Sequence, residues 1–216
     1  MNHQIAPSIL NADFMRLHEV ITMLNGSEAD LIHLDIMDGV FVPNLSFGFP
    51  VISQINAIAT KPLDVHLMTV EPERYLERYR DAGADILTVH YEACKDLRQT
   101  LKDIKALGMK ASVSLKPATD VEVLGPFLEQ LDMVLIMTVE PGYGGQSFMK
   151  GSYDRVRRLR QMINEAGTGT LIEVDGGVGK QNLVKLRDAG VDVFVIGTSV
   201  FRAGDPQAMI SELKAM

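Results

Sequence analysis

The sequence contains no tryptophan, a single cysteine and no long apolar run, and these scarcities exclude several classes of protein. One cysteine, Cys94, cannot form a disulfide within the chain, which excludes a disulfide-stabilised secreted domain and is typical of a reducing compartment. No stretch approaches the roughly 18 apolar residues of a membrane helix, and the first residues lack the basic start of a secretory signal. We therefore expect a cytoplasmic protein that has no membrane partner.

Basic residues are also in the minority. The 21 Lys and Arg residues are outnumbered by 28 Asp and Glu residues, which gives a formal net charge of −7 at pH 7. The one concentrated basic stretch, residues 155–160, has the spacing of the solvent face of a helix. An acidic chain without a broad basic stripe is not expected to bind nucleic acid. Small anions stay compatible, because backbone N–H groups can bind phosphate.

Eight short apolar runs alternate with helix-like stretches along the 216 residues. Strands that alternate with helices predict βαβ units and a parallel sheet. The predicted strands cover residues 4–8, 31–35, 63–66, 86–90, 110–115, 133–137, 171–175 and 193–197. In the first helix, Phe14, Leu17, Ile21 and Leu24 have helical spacing and are expected to pack in the core.

An aspartate stands immediately before every second predicted strand, at Asp30, Asp85, Asp132 and Asp192. Each step of this weak repeat spans about two βα units. The repeat and the count of eight strands favour an α/β fold of the (βα)8 type, a TIM barrel, over an open doubly wound sheet. No linker or change of composition divides the chain, so residues 1–216 are expected to form one domain.

Metal-competent side chains end three of the predicted strands. His33 and Asp35 point to the same side of one strand, His66 ends the next strand, and Asp175 ends the seventh. The carboxyl ends of barrel strands converge on one rim, so we expect the four side chains to form one site. Imidazole together with carboxylate suits zinc, iron, manganese or cobalt better than magnesium or calcium. The sequence therefore predicts one divalent metal ion, with zinc as the first choice.

Asp35 and Asp175 have a geometric relation as well. Strands 2 and 7 are three steps apart in a ring of eight, so the two carboxyls are expected to face each other across the mouth of the barrel. Opposed carboxyls can reach opposite faces of one carbon, which suits inversion by one acid and one base. A metal between them would stabilise an enediolate. The alternative is that one aspartate only holds the metal.

Loops rich in small residues follow strands 6, 7 and 8. Glycine lets a backbone approach a ligand closely, and these rim positions frequently bind phosphate in barrels. Structural turns are the alternative for any one loop, but three together predict a phosphorylated small-molecule substrate. The residues are Gly142, Tyr143, Gly144 and Gly145, then Gly176 and Gly177, then Gly197 and Thr198. Ser8, at the end of strand 1, can either offer its hydroxyl to the substrate or cap a turn.

These motifs resemble those of the ribulose-phosphate 3-epimerases over essentially the whole chain. The matching segments are residues 6–10, 12–14, 33–39, 41–44, 64–68, 141–146 and 174–177. The resemblance implies a (βα)8 barrel that interconverts D-ribulose 5-phosphate and D-xylulose 5-phosphate by moving the C3 proton, in the pentose phosphate pathway. It also implies a homo-oligomer, since the family includes dimers and larger assemblies.

The resemblance further assigns roles to residues of this sequence. It implies that His33, Asp35, His66 and Asp175 hold the metal, and that Asp35 and Asp175 are the acid/base pair. It implies that Ser8 and His66 contact the sugar. The phosphate end is assigned to residues 142–145, 176–177 and 197–198.

Three other functions are alternatives for a barrel with this pattern of residues. Allulose-6-phosphate 3-epimerases share the metal and carboxylate pattern, but tend to have an alanine in the loop after strand 6 and a serine after the Asp-Gly pair. Gly144, Gly145 and Gly177 stand here instead, which favours the pentose phosphate. A decarboxylase on a similar barrel would need a lysine beside the carboxylates of strands 2 and 3. A non-catalytic barrel that binds a phospho-ligand predicts a missing ligand or acid/base group, and all four are present.

Overall fold

The computed structural model describes residues 3–216, and residues 1–2 of the predicted domain lie outside this range. Eight parallel strands form one sheet in the order β1-β8-β7-β6-β5-β4-β3-β2. They are β1 (Gln4–Pro7), β2 (Ile32–Met37), β3 (Leu63–Met68), β4 (Ile86–His90), β5 (Lys110–Leu115), β6 (Met133–Met137), β7 (Leu171–Asp175) and β8 (Val193–Ile196). The predicted (βα)8 barrel is confirmed.

The barrel closes between β1 and β2. Ser8, the residue after β1, forms a parallel bridge with His33 on β2. The backbone amides of Asp30 and Leu31 both donate to the carbonyl of Ile5. This short seam matters for the site, because it brings Ser8 beside the histidine that was predicted as a metal ligand.

Helices cover the outside of the barrel. The α-helices are α1 (Leu17–Asn25), α2 (Phe49–Asn56), α3 (Leu76–Ala82), α4 (Leu97–Ala106), α5 (Ser152–Ala166), α6 (Leu183–Ala189), α7 (Thr198–Phe201) and α8 (Pro206–Ala215). Between β5 and β6 the chain instead forms a 3₁₀ helix, Val121–Gln130. Pro126 lies inside it, and a proline lacks the amide donor that a regular α-helix requires.

The aspartate repeat has a structural explanation. Each aspartate precedes an even-numbered strand and accepts a hydrogen bond from a backbone amide at the start of the odd-numbered strand beside it. The four bonds, all 2.8 Å long, join Ile5 N to Asp30, Leu63 N to Asp85, Ala111 N to Asp132, and Ile172 N to Asp192. The repeat therefore ties the strands together in pairs at the amino-terminal face, opposite the predicted site.

The strand bounds agree with the prediction for β4 to β7 and differ where β2 and β3 meet the site. Both of these strands continue two residues further than predicted, to Met37 and Met68. The prediction for Phe14 was wrong: α1 begins only at Leu17, and Phe14 lies in the preceding 3₁₀ turn with 46% of its surface exposed. Ile21 and Leu24 are buried, as the helical spacing predicted.

The core lies inside the barrel and between the strands and the surrounding helices. All six residues of β2 and all six of β3 are buried, which is typical of strands covered on both faces. Phe194 on β8 is among the largest fully buried side chains. In the described range 3–216, no helix combines the length and the apolar composition needed to cross a membrane.

Candidate metal and catalytic site

A cavity of about 700 Å³ opens at the carboxyl ends of the strands. The loops after β1, β6, β7 and β8 form most of its wall, and the ends of β2, β3, β6 and β7 form its floor. The predicted substrate residues that line it are Ser8, Gly142, Tyr143, Gly144, Gly145, Asp175, Gly176, Gly177, Gly197 and Thr198. The structure therefore brings these residues together around one space large enough for a sugar phosphate.

The four predicted metal ligands meet at the floor of this cavity. His33, Asp35, His66 and Asp175 each offer one ligand atom, and these atoms all lie within 4.8 Å of one another. Asp35 and His66 are direct neighbours in the register of β2 and β3, whereas Asp175 comes from β7 on the other side of the seam. Two imidazoles and two carboxylates from three strands thus converge on one point.

The orientation of His33 supports a cation at this point. Its Nδ1 donates a hydrogen bond of 2.5 Å to Asp64 Oδ2, and a histidine that ligates a metal commonly donates its other N–H in this way. The remaining nitrogen, Nε2, is buried, has no hydrogen-bond partner and lies 3.4 Å from Asp35 Oδ1. A divalent ion between this nitrogen and the carboxylate would give the buried nitrogen the partner that it lacks. The residues present therefore fit a metal ion.

The two aspartates differ in their affinity for a proton. Burial opposes ionisation of Asp35, but the positive charge of His33 beside it holds the pKa of Asp35 well below its usual range. Burial and the negative charge of Asp35 raise the pKa of Asp175 to about 7. One carboxyl is therefore ionised at neutral pH while the other can carry a proton, which is the difference that an acid/base pair needs.

Ser8 caps a turn, which is one of the two functions that its sequence position suggested; its contact with the substrate stays a prediction. Its hydroxyl donates a hydrogen bond of 2.6 Å to Asp35 Oδ2 and accepts one from the amide of Leu10 at 3.3 Å. The serine thus caps the turn after β1 and also orients the Asp35 carboxylate. Ser8 is among the residues that line the cavity.

A second group of acidic side chains lies one layer deeper in the barrel. Glu173 and Asp64 are fully buried, and with His33 they form another set of atoms within 4.8 Å of one another. Burial and the charge of Asp64 raise the pKa of Glu173 well above its usual value, which favours the protonated form of Glu173. His33 Nδ1 is already bonded to Asp64. The deeper group lies beneath the upper cluster, and only the upper cluster has members that line the cavity, Asp35 and Asp175.

Glycines shape the loops around the cavity. Gly176 has a φ of +116°, and a Cβ placed there would lie 2.4 Å from a methyl carbon of Val139. Gly177 has a φ of +64°, and a Cβ there would lie 2.6 Å from the backbone nitrogen of Phe148. The loop after β7 and the loop after β6 therefore pack together so closely that a side chain at Gly177 would displace one of them.

His66 is fully buried beneath the cavity and is not one of its lining residues, so its contact with the sugar stays a prediction. Met37, Met68 and Met137 line the cavity and surround the floor with apolar surface. That surface lowers the local polarity around the carboxylates.

Sequence reasoning found no partner for His90 and Glu92. In the structure His90 Nε2 lies 2.9 Å from His66 Nε2, and His90 Nδ1 lies 3.2 Å from Glu92 Oε2. Asp64 and Glu173 were also missed as neighbours of the metal ligands. The available signal was that Asp64 and His66, and likewise Glu173 and Asp175, stand two residues apart and so share the inner face of a strand.

The chain is similar to proteins of one family over nearly its whole length. The chain matches the model of the ribulose-phosphate 3 epimerase family over residues 4–201. It is 43% identical over 212 residues to the ribulose-phosphate 3-epimerase of Bacillus subtilis, covering 98% of both chains. The corresponding enzyme of Synechocystis is 47% identical over 204 residues, covering 94% of this chain and 89% of the relative. A chloroplastic ribulose-5-phosphate-3-epimerase of Arabidopsis thaliana is 43% identical, covering 98% of this chain and 76% of its own length.

Solved structures of lower identity share the fold. KGPDC from Streptococcus mutans aligns with a TM-score of 0.76 at 14% identity, covering 100% of this chain and 97% of its own. A 3-hexulose-6-phosphate synthase aligns with a TM-score of 0.66 at 21% identity, covering 100% and 99% of the two chains. At these identities the likeness establishes the barrel and nothing about the reaction.

Proposed function

This chain belongs to the ribulose-phosphate 3-epimerase family and is an isomerase that acts on a sugar phosphate, and we propose that it interconverts D-ribulose 5-phosphate and D-xylulose 5-phosphate by moving the C3 proton. The observation that carries this mechanism is the pair of carboxyls, Asp35 and Asp175, from strands on either side of the barrel seam. Their oxygens lie within 4.8 Å of each other and of the two imidazoles. A substrate carbon above the pair would present opposite faces to the two groups.

His33, Asp35, His66 and Asp175 hold one divalent ion. The partnerless Nε2 of His33 and the mixture of nitrogen and oxygen donors support this assignment. Zinc is the first choice, and iron, manganese and cobalt are the alternatives, because these metals accept imidazole together with carboxylate. When bound, the ion supplies positive charge that neutralises the developing charge on adjacent substrate oxygens.

The two aspartates move the proton. The ionised carboxylate removes the C3 proton from one face of the substrate, which leaves a 2,3-enediolate. The protonated carboxyl then delivers its proton to the opposite face, so the configuration at C3 inverts. Asp35 has a low pKa and Asp175 a pKa of about 7. These values support Asp35 as the base in the reaction direction that begins with Asp35 ionised and Asp175 protonated. After turnover the two protonation states have exchanged, and the reverse reaction uses them the other way round.

The remaining cavity residues bind and orient the substrate. Ser8 holds the Asp35 carboxylate by its hydroxyl and, as one of the residues that line the cavity, meets the sugar. The backbones of Gly176, Gly177, Gly197 and Thr198 surround the phosphate end. The loop with Gly142, Tyr143, Gly144 and Gly145 covers that end and keeps water from the reacting carbon.

An exchange experiment tests the proposed reaction. The purified protein is incubated with D-ribulose 5-phosphate in deuterated water, with and without a chelator, while C3 deuteration and formation of xylulose 5-phosphate are followed. We expect exchange together with epimerisation, and loss of both when the metal is removed. A metal-loaded protein that shows neither would overturn the assignment, and D-allulose 6-phosphate is then the substrate to test.

We also propose a cellular compartment and an oligomeric state for the enzyme. The single Cys94 thiol supports a reducing, cytoplasmic compartment. Exposed apolar side chains on the loops after β1 and β2 support a homo-oligomer: 92% of Met15, 73% of Val40 and 71% of Leu45 is exposed in the single chain. Sedimentation of the purified protein tests this, and a monomer at micromolar concentration contradicts it.

A further inference from the structure

Three side chains form a row that leads from the metal cluster outward to the partly exposed Glu92. His66 Nε2 lies 2.9 Å from His90 Nε2, and His90 Nδ1 lies 3.2 Å from Glu92 Oε2. Both histidines are fully buried. We call this row, His66, His90 and Glu92, the histidine relay. The proton transfer described above uses neither His90 nor Glu92, so their arrangement needs another explanation.

The direction of the hydrogen bonds in the relay is determined from its outer end. Oε1 of Glu92 accepts a bond of 2.9 Å from the backbone amide of Lys116 and another from the Thr119 hydroxyl. A carboxylate can only accept, so the Nδ1–H of His90 must donate to Oε2. The Nε2 of a neutral His90 then has no hydrogen and accepts. The bond between the two histidines therefore requires His66 to donate from its own Nε2.

This direction decides which nitrogen of His66 can bind a metal. With the proton on Nε2, the Nδ1 of a neutral His66 carries a lone pair, and it faces Asp35 Oδ1 at 3.2 Å. Two lone-pair atoms at this distance repel each other unless a cation lies beside both. The relay thus prepares Nδ1 to share a positive ion with Asp35.

The surroundings protect the two histidines of the relay from water. The ring of Phe41 packs on the ring of His90 with a centroid separation of 4.7 Å, and the ammonium of Lys116 lies 3.9 Å from the centroid of Phe41. Water at His90 could donate or accept and would allow either direction of hydrogen bonding. Because His90 is fully buried under Phe41, Glu92 alone sets the direction.

We propose that His90 and Glu92 are positioning residues for the metal: they place the proton of His66 on Nε2 and so present its Nδ1 as a ligand. The inference rests on the proposed metal site. It gives His90 and Glu92, at and after the end of β4, a function separate from substrate binding in the cavity and from proton transfer by the two aspartates. Groups that orient a metal ligand in this way typically change metal affinity by about 10-fold to 100-fold when they are altered.

The substitution Glu92→Gln tests the inference with almost no change of shape. The Lys116 amide and the Thr119 hydroxyl select the amide oxygen of the new side chain, so its NH2 group faces His90 Nδ1. His90 must then accept there and donate from Nε2, which reverses the relay and removes the donor function of His66 Nε2. We expect about 10-fold to 100-fold weaker binding of zinc and of cobalt, measured by chelator competition, and an altered visible spectrum of the cobalt protein.

Further variants separate this role from a merely structural one. Glu122→Gln is the matched control, because Glu122 pairs with Arg158 on the exposed surface, and its metal affinity should equal that of the unaltered protein. His90→Gln keeps an acceptor for His66 and should retain more affinity than His90→Leu, which has none. The melting temperatures of the metal-free proteins report on folding independently of metal binding.

The outcomes are distinguishable. If Glu92→Gln binds zinc and cobalt within twofold of the unaltered protein, the relay does not position the ligand and the inference is wrong. If the unaltered protein binds no metal, or His33→Ala binds it equally well, the metal site itself fails and the inference fails with it. Nitrogen NMR of the zinc-loaded protein gives an independent check, since His90 must carry its proton on Nδ1.

Discussion

Replacing one aspartate of the pair by asparagine should separate proton exchange from epimerisation. An amide of nearly the same shape neither gives nor takes a proton near neutral pH, so Asp175→Asn leaves Asp35 as the only acid/base group at the carbon. Asp35 can still remove the C3 proton and return one to the same face. In deuterated water, one epimer of the substrate should then exchange its C3 hydrogen without becoming the other epimer.

The size of the effect follows from the chemistry of the lost group. General acid–base catalysis by one positioned side chain contributes about 10² to 10⁴ in rate, or roughly 2.7 to 5.5 kcal/mol of barrier. We expect epimerisation by Asp175→Asn to fall by about that factor, while exchange into one epimer falls much less. Asp35→Asn should show the same separation with the other epimer, because its remaining acid/base group lies on the opposite face.

The assay requires control of the metal, since both aspartates are proposed ligands. Asparagine keeps one carbonyl oxygen as a donor, so each variant is assayed at saturating metal with its metal content measured. Asp188→Asn provides a matched control, because the Asp188 side chain is 67% exposed on the outer surface. Two results would refute the reasoning: epimerisation within tenfold of the unaltered rate at full metal content, or equal exchange of both epimers by one variant.

Three other predictions follow from the structure. Asp64→Asn removes the negative charge that His33 Nδ1 faces and weakens the hydrogen bond that orients this ligand. Metal affinity measured by chelator competition should fall by about 10-fold to 100-fold. Gly177→Ala places a side chain at a φ of +64° and 2.6 Å from the Phe148 nitrogen. The strained loop should cost about 1–2 kcal/mol of substrate binding, which raises KM about 5-fold to 30-fold with a smaller change in kcat. The control Gly125→Ala meets no atom within 4 Å and should change neither constant. Metal affinity should increase with pH through and above the usual titration range of a histidine. The carboxylates of Asp64 and Asp35 raise the pKa of His33 despite its burial, and a protonated His33 must lose a proton to bind a metal. Calorimetry in buffers of different ionisation enthalpy measures the released protons, and uptake that is independent of pH would contradict this prediction.

Much of the fold could be predicted from local patterns. A strand buried on both faces is a short apolar run whatever its neighbours are, so the bounds of β4 to β7 were predicted correctly. The ends of β2 and β3 were not, because Met37 and Met68 extend the strands only through their pairing with each other. Phe14 was misplaced because helical spacing does not tell where a helix begins.

The sequence by itself determined the order of strands and helices and the four side chains of the proposed metal site. These depend on periodicity and on the rule that the carboxyl ends of barrel strands share one rim, which are local or general properties. Only the tertiary structure decided how protons are distributed among those side chains. The partner of His66 is His90, 24 positions along the chain, and the partner of His33 is Asp64, 31 positions along. Proton positions depend on burial and on which groups face each other across neighbouring strands, and no spacing within one strand contains that information.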